Sequence, residues 1–133
     1  DLLKRTYIYR GFRADNPVVN RQREFQAVSG GCIMMKKELF HDIGGFNESP
    51  DVMEDIDICL RARAKGFRNM YTPEAVLYSC GNGNFEKSGS CTRNTSHLDQ
   101  EWAEEVQCDL EILLEEDGFS LCRNGVNYSL SPK

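Results

Sequence analysis

Met53-Glu54-Asp55-Ile56-Asp57-Ile58-Cys59-Leu60-Arg61 is the stretch on which the reading of this chain turns. Three of its residues, Glu54, Asp55 and Asp57, are carboxylates that fall within four positions, and Ile56, Cys59, Leu60 and Arg63 follow at helical spacing. The pattern predicts a helix over 51–65, with Asp51 as N-cap, Glu54 in the capping-box position and Gly66 as the stop. Acids at a helix start complement the macrodipole. They can also hold a cation or take a proton from a substrate. The block by itself leaves these three uses open.

The surrounding sequence alternates short elements with glycine stops. Upstream, Phe25 to Met35 is apolar and is interrupted by Gly30-Gly31, which marks a bulge in a strand or a close backbone approach to something else. Lys36 to Ile43 has helical spacing with Leu39, Phe40 and Ile43 inward, and Gly44-Gly45 ends it. Further back, Tyr7-Ile8-Tyr9 fits a short strand, and Gly11 to Arg23 is a loop containing Pro17. Downstream, Arg68 to Thr72 and Ala75 to Tyr78 fit two short strands split by Pro73, and Cys80 to Arg93 is a loop rich in Gly, Asn and Ser. His97 to Glu116 is predicted as one long amphipathic helix, with Leu98, Trp102, Val106, Leu110 and Leu113 as its apolar stripe and its acids on a solvated face. Thr95 or Ser96 would cap that helix and Gly118 would end it; an Asn124-Gly125 turn and a strand from Val126 to Leu130 complete the tail.

Composition narrows the classes. A chain of 133 residues amounts to one domain or part of a larger one. The formal net charge of -5 gives no support to a nucleic-acid partner. The acidic excess sits in the second half, where residues 69–133 carry 4 Lys/Arg against 11 Asp/Glu. No apolar run approaches the roughly 18 residues of a membrane span. The opening Asp1-Leu2-Leu3-Lys4 reads as an excised fragment. The six cysteines and the three N-x-S/T sequons at Asn47, Asn94 and Asn127 raise a disulfide-bonded, secreted alternative. Cys32 and Cys59 lie in apolar runs, where a free thiol packs as a small hydrophobe, so reduced cysteines and a cytoplasmic location are expected. No C-x-x-C pair is present, and Cys80, Cys91, His97 and Cys108 lack the spacing of a structural zinc site.

Four blocks in order carry a resemblance. They are Ala27-Val28-Ser29-Gly30-Gly31-Cys32-Ile33-Met34-Met35-Lys36-Lys37-Glu38-Leu39-Phe40, then Ile43-Gly44-Gly45-Phe46-Asn47-Glu48, then Glu54 to Arg61, then Lys65-Gly66-Phe67-Arg68 with Tyr71-Thr72-Pro73-Glu74-Ala75-Val76. Together, residues 25–78 resemble the acceptor-side, C-terminal half of a family 2 glycosyltransferase of the GT-A fold, and residues 7–24 are compatible with its bacterial, rhamnosyltransferase-like group. The resemblance implies an α/β fold, a mixed sheet with flanking helices, here joined by the long C-terminal helix. On that reading residues 1–80 are the acceptor-side half, and residues 81–133 are a loop, a helix and a short tail completing the same domain.

The resemblance also implies transfer of a sugar from a nucleotide-sugar donor to an acceptor hydroxyl, with inversion at the anomeric carbon. It places the general base on Asp55, with Glu54 and Asp57 flanking it, and runs Ser29-Gly30-Gly31 under the sugar and acceptor. A carboxylate suits the task because a hydroxyl attacks well only as it loses its proton. Glycine suits the floor because a backbone without Cβ atoms can approach a sugar ring. The family holds a divalent cation, Mg or Mn, through an Asp-x-Asp motif in an earlier half that residues before 25 do not supply, so no metal ligand is assigned here. A histidine that many members carry after the last strand is replaced by Ser79, a poor ligand for such a cation. These departures keep a second reading open, a non-catalytic binding or assembly module. The isolated chain is expected to be inactive, and to dimerise through apolar surface that the missing half would cover.

Overall fold

A computed structural model describes residues 7–9, 11–48, 53–78, 102, 104–124 and 127–132. The elements in chain order are β1 (Arg23–Phe25), α1 (Lys37–Asp42), α2 (Glu54–Ala64), β2 (Asn69–Tyr71), α3 (Leu110–Glu116), β3 (Phe119–Asn124) and β4 (Asn127–Pro132). The result is a mixed α/β arrangement of short sheets and helices, as fits part of a GT-A domain. Strands β1 and β2 pair antiparallel with Arg23 opposite Tyr71 and Phe25 opposite Asn69. Strands β3 and β4 form an antiparallel hairpin with Phe119 opposite Pro132 and Asn124 opposite Asn127.

Glycines stop the first two helices as their positions predict. Gly44 and Gly45 both take left-handed φ values, 84° and 72°. Their N–H groups return to the carbonyls of His41 and Phe40, the paired bonds of a Schellman motif. At the end of α2, Gly66 and Phe67 repeat the arrangement on Arg63 and Ala62. Helix α2 starts at Glu54, three residues later than predicted, with Met53 in the N-cap position and no side-chain cap bond. The predicted cap, Asp51, lies outside the described residues.

The core is built on α2. Met53 and Leu60 pack with Trp102, flanked by Ile56 and Val106. Ile58 and Cys59 are also buried. Cys59 is fully enclosed and free, as a packed thiol should be. Cys32 departs from that expectation, being free but exposed.

The long C-terminal helix is not present as predicted. Trp102 lies in a helical turn, closed by Glu105 and Val106 N–H groups on its carbonyl. The chain is then irregular over 106–109 before α3 begins. The side chain of Gln26 accounts for the break. Its Nε2 donates to the Gln107 carbonyl at 2.6 Å, and its Oε1 accepts the Gln107 N–H at 2.9 Å. A carboxamide that takes both backbone groups of one residue replaces the helical bonds that residue would make. After the break the apolar face shifts register, so Leu114 is buried rather than Leu113.

Three short strands also differ from expectation. Residues 7–9 form a turn, with Tyr9 at φ 59° and its carbonyl accepting from Phe12 at 3.0 Å. The strand is Arg23–Phe25, so of the apolar run 25–35 only Phe25 is strand; the glycine-bearing segment leaves the sheet and turns at Gly30-Gly31. Ala75 to Tyr78 is irregular and exposed.

A buried charge cluster joins the early loop to the tail. Asp117, at the C-terminal end of α3, has a side chain 1% exposed and accepts two bonds from Arg23 Nη2, at 2.7 and 2.8 Å. Arg21 lies 3.2 Å from the same carboxylate, and the Tyr9 hydroxyl donates to it. Tyr9, Phe12 and Phe119 stack around the cluster with centroids 5.3 to 6.0 Å apart. The Arg23 guanidinium sits 5.8 Å from the Tyr9 ring centre and 6.0 Å from that of Phe25, which is cation–π range.

Candidate functional site

The acidic block and the glycine turn, 25 residues apart in sequence, meet in space. The Gly30 N–H donates to Asp55 Oδ2 at 3.0 Å. A Cβ placed on Gly30 would lie 2.9 Å from Asp55 Cβ, closer than such atoms pack. Glycine is therefore required at residue 30 by close approach, and not by a left-handed φ. At Gly31 the nearest atom to such a Cβ is Ser29 Oγ at 3.7 Å, an ordinary contact. Ser29 Oγ also accepts the Gly31 N–H at 3.4 Å, which braces the turn.

Asp55 divides its oxygens between two neighbours. Oδ2 faces the glycine turn, and Oδ1 lies 3.1 Å from the Ile56 N–H, which also donates to the Met53 carbonyl at 3.0 Å. Asp55 is half-buried and Glu54 is exposed on the same turn.

Asp57 is turned the other way. Residues two apart on a helix point about 200° apart around its axis. Asp57 is 1% exposed and accepts from Arg61 Nε at 2.9 Å. Arg61 in turn donates to the carbonyls of Ile43 and, at 2.8 Å, Gly45. Asp57 thus orients an arginine that anchors the end of α1, and it does not share a face with Asp55. The resemblance implies Asp57 beside the substrate; in the fold its carboxylate is buried against Arg61. Arg61 is the clasp between α2 and the end of α1.

The Asp55-Ile56-Asp57 string does not form a cation site, because its two carboxylates diverge. Among the described residues no three His, Cys, Asp or Glu side chains gather into one. Ser79 and His97 lie outside the described residues.

Asn69, which the sequence did not single out, and Cys59, read from the sequence only as a packed thiol, complete the frame around this contact. Asn69 Nδ2 donates to the carbonyls of Gln26 and Cys59 at 2.8 and 3.1 Å. Cys59 Sγ lies 3.5 Å from the Val28 nitrogen and 3.8 Å from its carbonyl oxygen. Burial pushes the Cys59 thiol above its usual range, and the nearby Asp55 charge adds to the effect. The one sequence signal for Asn69 is its type, since asparagine is disfavoured inside strands and here interrupts Phe67 to Tyr71.

The model of the glycosyltransferase-like family 2 matches residues 3–106. The chain belongs to that family. The match takes in the glycine turn, α1, α2 and β2, so both residues of the Gly30–Asp55 contact lie within the matched part of the chain. The chain is also similar to a protein of Sinorhizobium fredii (strain NBRC 101917 / NGR234), described as uncharacterized protein y4gI. The two are 35% identical over 89 residues, 61% of this chain and 10% of that protein. The chain thus spans about a tenth of the length of this curated relative. No solved structure matches the chain. No helix among the described residues is long and apolar enough to cross a membrane.

Proposed function

We propose that this chain is the acceptor-side part of an inverting glycosyltransferase domain of the GT-A type, with Asp55 as its general base. The observation that carries the reading is the contact between Gly30 and Asp55, which sets a carboxylate against a bare backbone turn. A sugar hydroxyl lying over Ser29-Gly30-Gly31 would come within reach of Asp55. As that hydroxyl attacks the anomeric carbon of a nucleotide-sugar, the bond from that carbon to the diphosphate breaks and the pair leaves with the nucleotide. The hydroxyl proton passes to the Asp55 carboxylate. Holding the acceptor and the base in one geometry supplies much of the advantage, since a positioned base is worth about 10²–10⁴ in rate.

We place the divalent-cation ligands elsewhere than on Asp55 and Asp57 together, because Asp57 is committed to Arg61 and diverges from Asp55. Residues 1–80 are the acceptor-side half and 81–133 complete the same domain; the contacts of Trp102, Gln107 and Asp117 with the earlier part support that division. The free thiols of Cys32, Cys59 and Cys108 are consistent with a cytoplasmic setting. Ser79, where the family pattern has histidine, favours a second reading in which the module binds a glycan without transferring it.

The test is sugar transfer by the longest native polypeptide containing these residues, with and without Asp55→Asn. The base assignment expects turnover to fall on the order of a hundredfold or more while folding is kept. Turnover near the unsubstituted level would sink it. An unsubstituted protein that retains glycans but transfers no sugar from any nucleotide-sugar would favour the second reading.

A further inference from the structure

We propose that Asn69 is a positioning residue for Asp55, acting through the segment 26–30; its value to catalysis rests on the reading of Asp55 as base. The segment lies against α2 as a ladder of alternate residues. At Gln26 the carbonyl accepts from Asn69 Nδ2 at 2.8 Å, and the same nitrogen reaches the Cys59 carbonyl at 3.1 Å. At Val28 the backbone N–H meets Cys59 Sγ at 3.5 Å. At Gly30 the N–H meets Asp55 Oδ2 at 3.0 Å.

The spacing explains why the rungs coincide. Two residues of extended chain advance about 6.6 Å, and the four-residue step from Cys59 to Asp55 along α2 advances about 6.0 Å. Residues 28 and 30 therefore reach side chains one turn apart on α2. The first rung fixes where the ladder starts. Asn69 can fix it because its own backbone is held in β2, opposite Phe25, and Phe25 directly precedes Gln26. One amide thus joins strand, helix and segment. Gln26 is also held at its other end, where its side chain grips Gln107. Without the Asn69 donor the Gln26 and Cys59 carbonyls lose a partner, the start of the segment drifts, and the Gly30 N–H leaves Asp55.

The test is an NMR titration of the full chain. The Gly30 amide should shift as the Asp55 carboxylate gains its proton, because the two share a hydrogen bond. In Asn69→Leu, which keeps the size and removes the donor, that response should be largely lost. Gly30 amide exchange should also speed up on the order of tenfold. The β3–β4 amides, remote in sequence from the change, should keep their positions. A Gly30 amide that titrates in Asn69→Leu as in the unsubstituted chain overturns the proposal. Should Asn69→Leu fail to fold, the unsubstituted chain decides. The Asn69 side-chain protons and the Gly30 N–H should then lose protection together across a denaturant series, and independent loss overturns the proposal. Failure of Asp55→Asn to lower transfer would remove the base assignment and leave this titration unchanged, so the two failures are distinguishable.

Discussion

Gly30 and Asp55 approach so closely that a methyl group on Gly30 would lie 2.9 Å from Asp55 Cβ. Gly30→Ala should therefore push the turn away from α2, at a cost of about 1–3 kcal/mol in stability, as for other overpacked sites. Gly31→Ala has only Ser29 Oγ nearby, at 3.7 Å, and no left-handed φ to lose. It should be neutral or stabilising by up to about 1 kcal/mol through the unfolded chain. Urea unfolding of the two variants checks the pair. Equal losses would mean that the contact with Asp55 is not what requires glycine.

The Tyr9–Arg23–Asp117 cluster predicts stability limits at both ends of the pH scale. Burial opposes the charge on Asp117, but the Arg23 and Tyr9 hydrogen bonds outweigh it and hold the carboxyl below its usual 3.8. A depressed carboxyl stabilises the fold above its unfolded value and loses that contribution as pH falls through the lower folded value. Tyr9 moves in the opposite sense. Burial first, and then the Asp117 acceptor, push its hydroxyl from 10.0 up to about 12. Its contribution is complete below pH 10.0 and is lost as pH rises through about 12. Denaturation midpoints followed across pH should show both limbs. Asp117→Asn should flatten the acid limb, and Tyr9→Phe the alkaline one. Unchanged limbs in both variants would remove the cluster from the pH response.

What the sequence revealed depended on how local each determinant was. The ends of α1 and α2 were legible because Gly44, Gly45 and Gly66 carry their signal in one or two positions. A close approach at Gly30 was legible, but the resemblance implied a sugar ring as its partner, and the atom that meets it is Asp55 Cβ. The break at residues 106–109 was not, because a continuous apolar stripe from Leu98 to Leu113 predicts one helix and the grip of Gln26 on Gln107 spans 81 residues. Strand β3 was missed since its six residues directly follow a predicted helix end, and only pairing with β4 shows them as a strand. The inward turn of Asp57 was in principle readable, as it lies four residues before Arg61.

That pair yields a second stability prediction. Asp57→Ala leaves Arg61 without its buried counter-charge and should cost on the order of 3 kcal/mol. The double change Asp57→Leu with Arg61→Met removes both charges and should recover part of the loss. It should not recover all of it, because the Ile43 and Gly45 carbonyls then lack the donor Arg61 gave them. A double-mutant cycle on unfolding free energies measures the coupling. Additive effects would mean that Asp57 does not act through Arg61.

The last prediction concerns association. Val76, Leu77 and Tyr78 are 63%, 67% and 91% exposed, and Phe67, Met70 and Tyr71 nearby in sequence are also exposed. Strands β1 and β2 pair only with each other among the described residues, so each presents an outer edge. Apolar side chains beside an open strand edge favour pairing with another chain. The isolated chain should therefore form dimers whose population rises with concentration in light scattering. Leu77→Lys with Tyr78→Lys should shift it toward monomer without lowering its denaturation midpoint at high dilution, since neither side chain is buried within the chain. A monodisperse monomer at high concentration would mean that this surface does not drive self-association. Loss of the dimer together with loss of folding would mean that these residues act within the chain and not between copies.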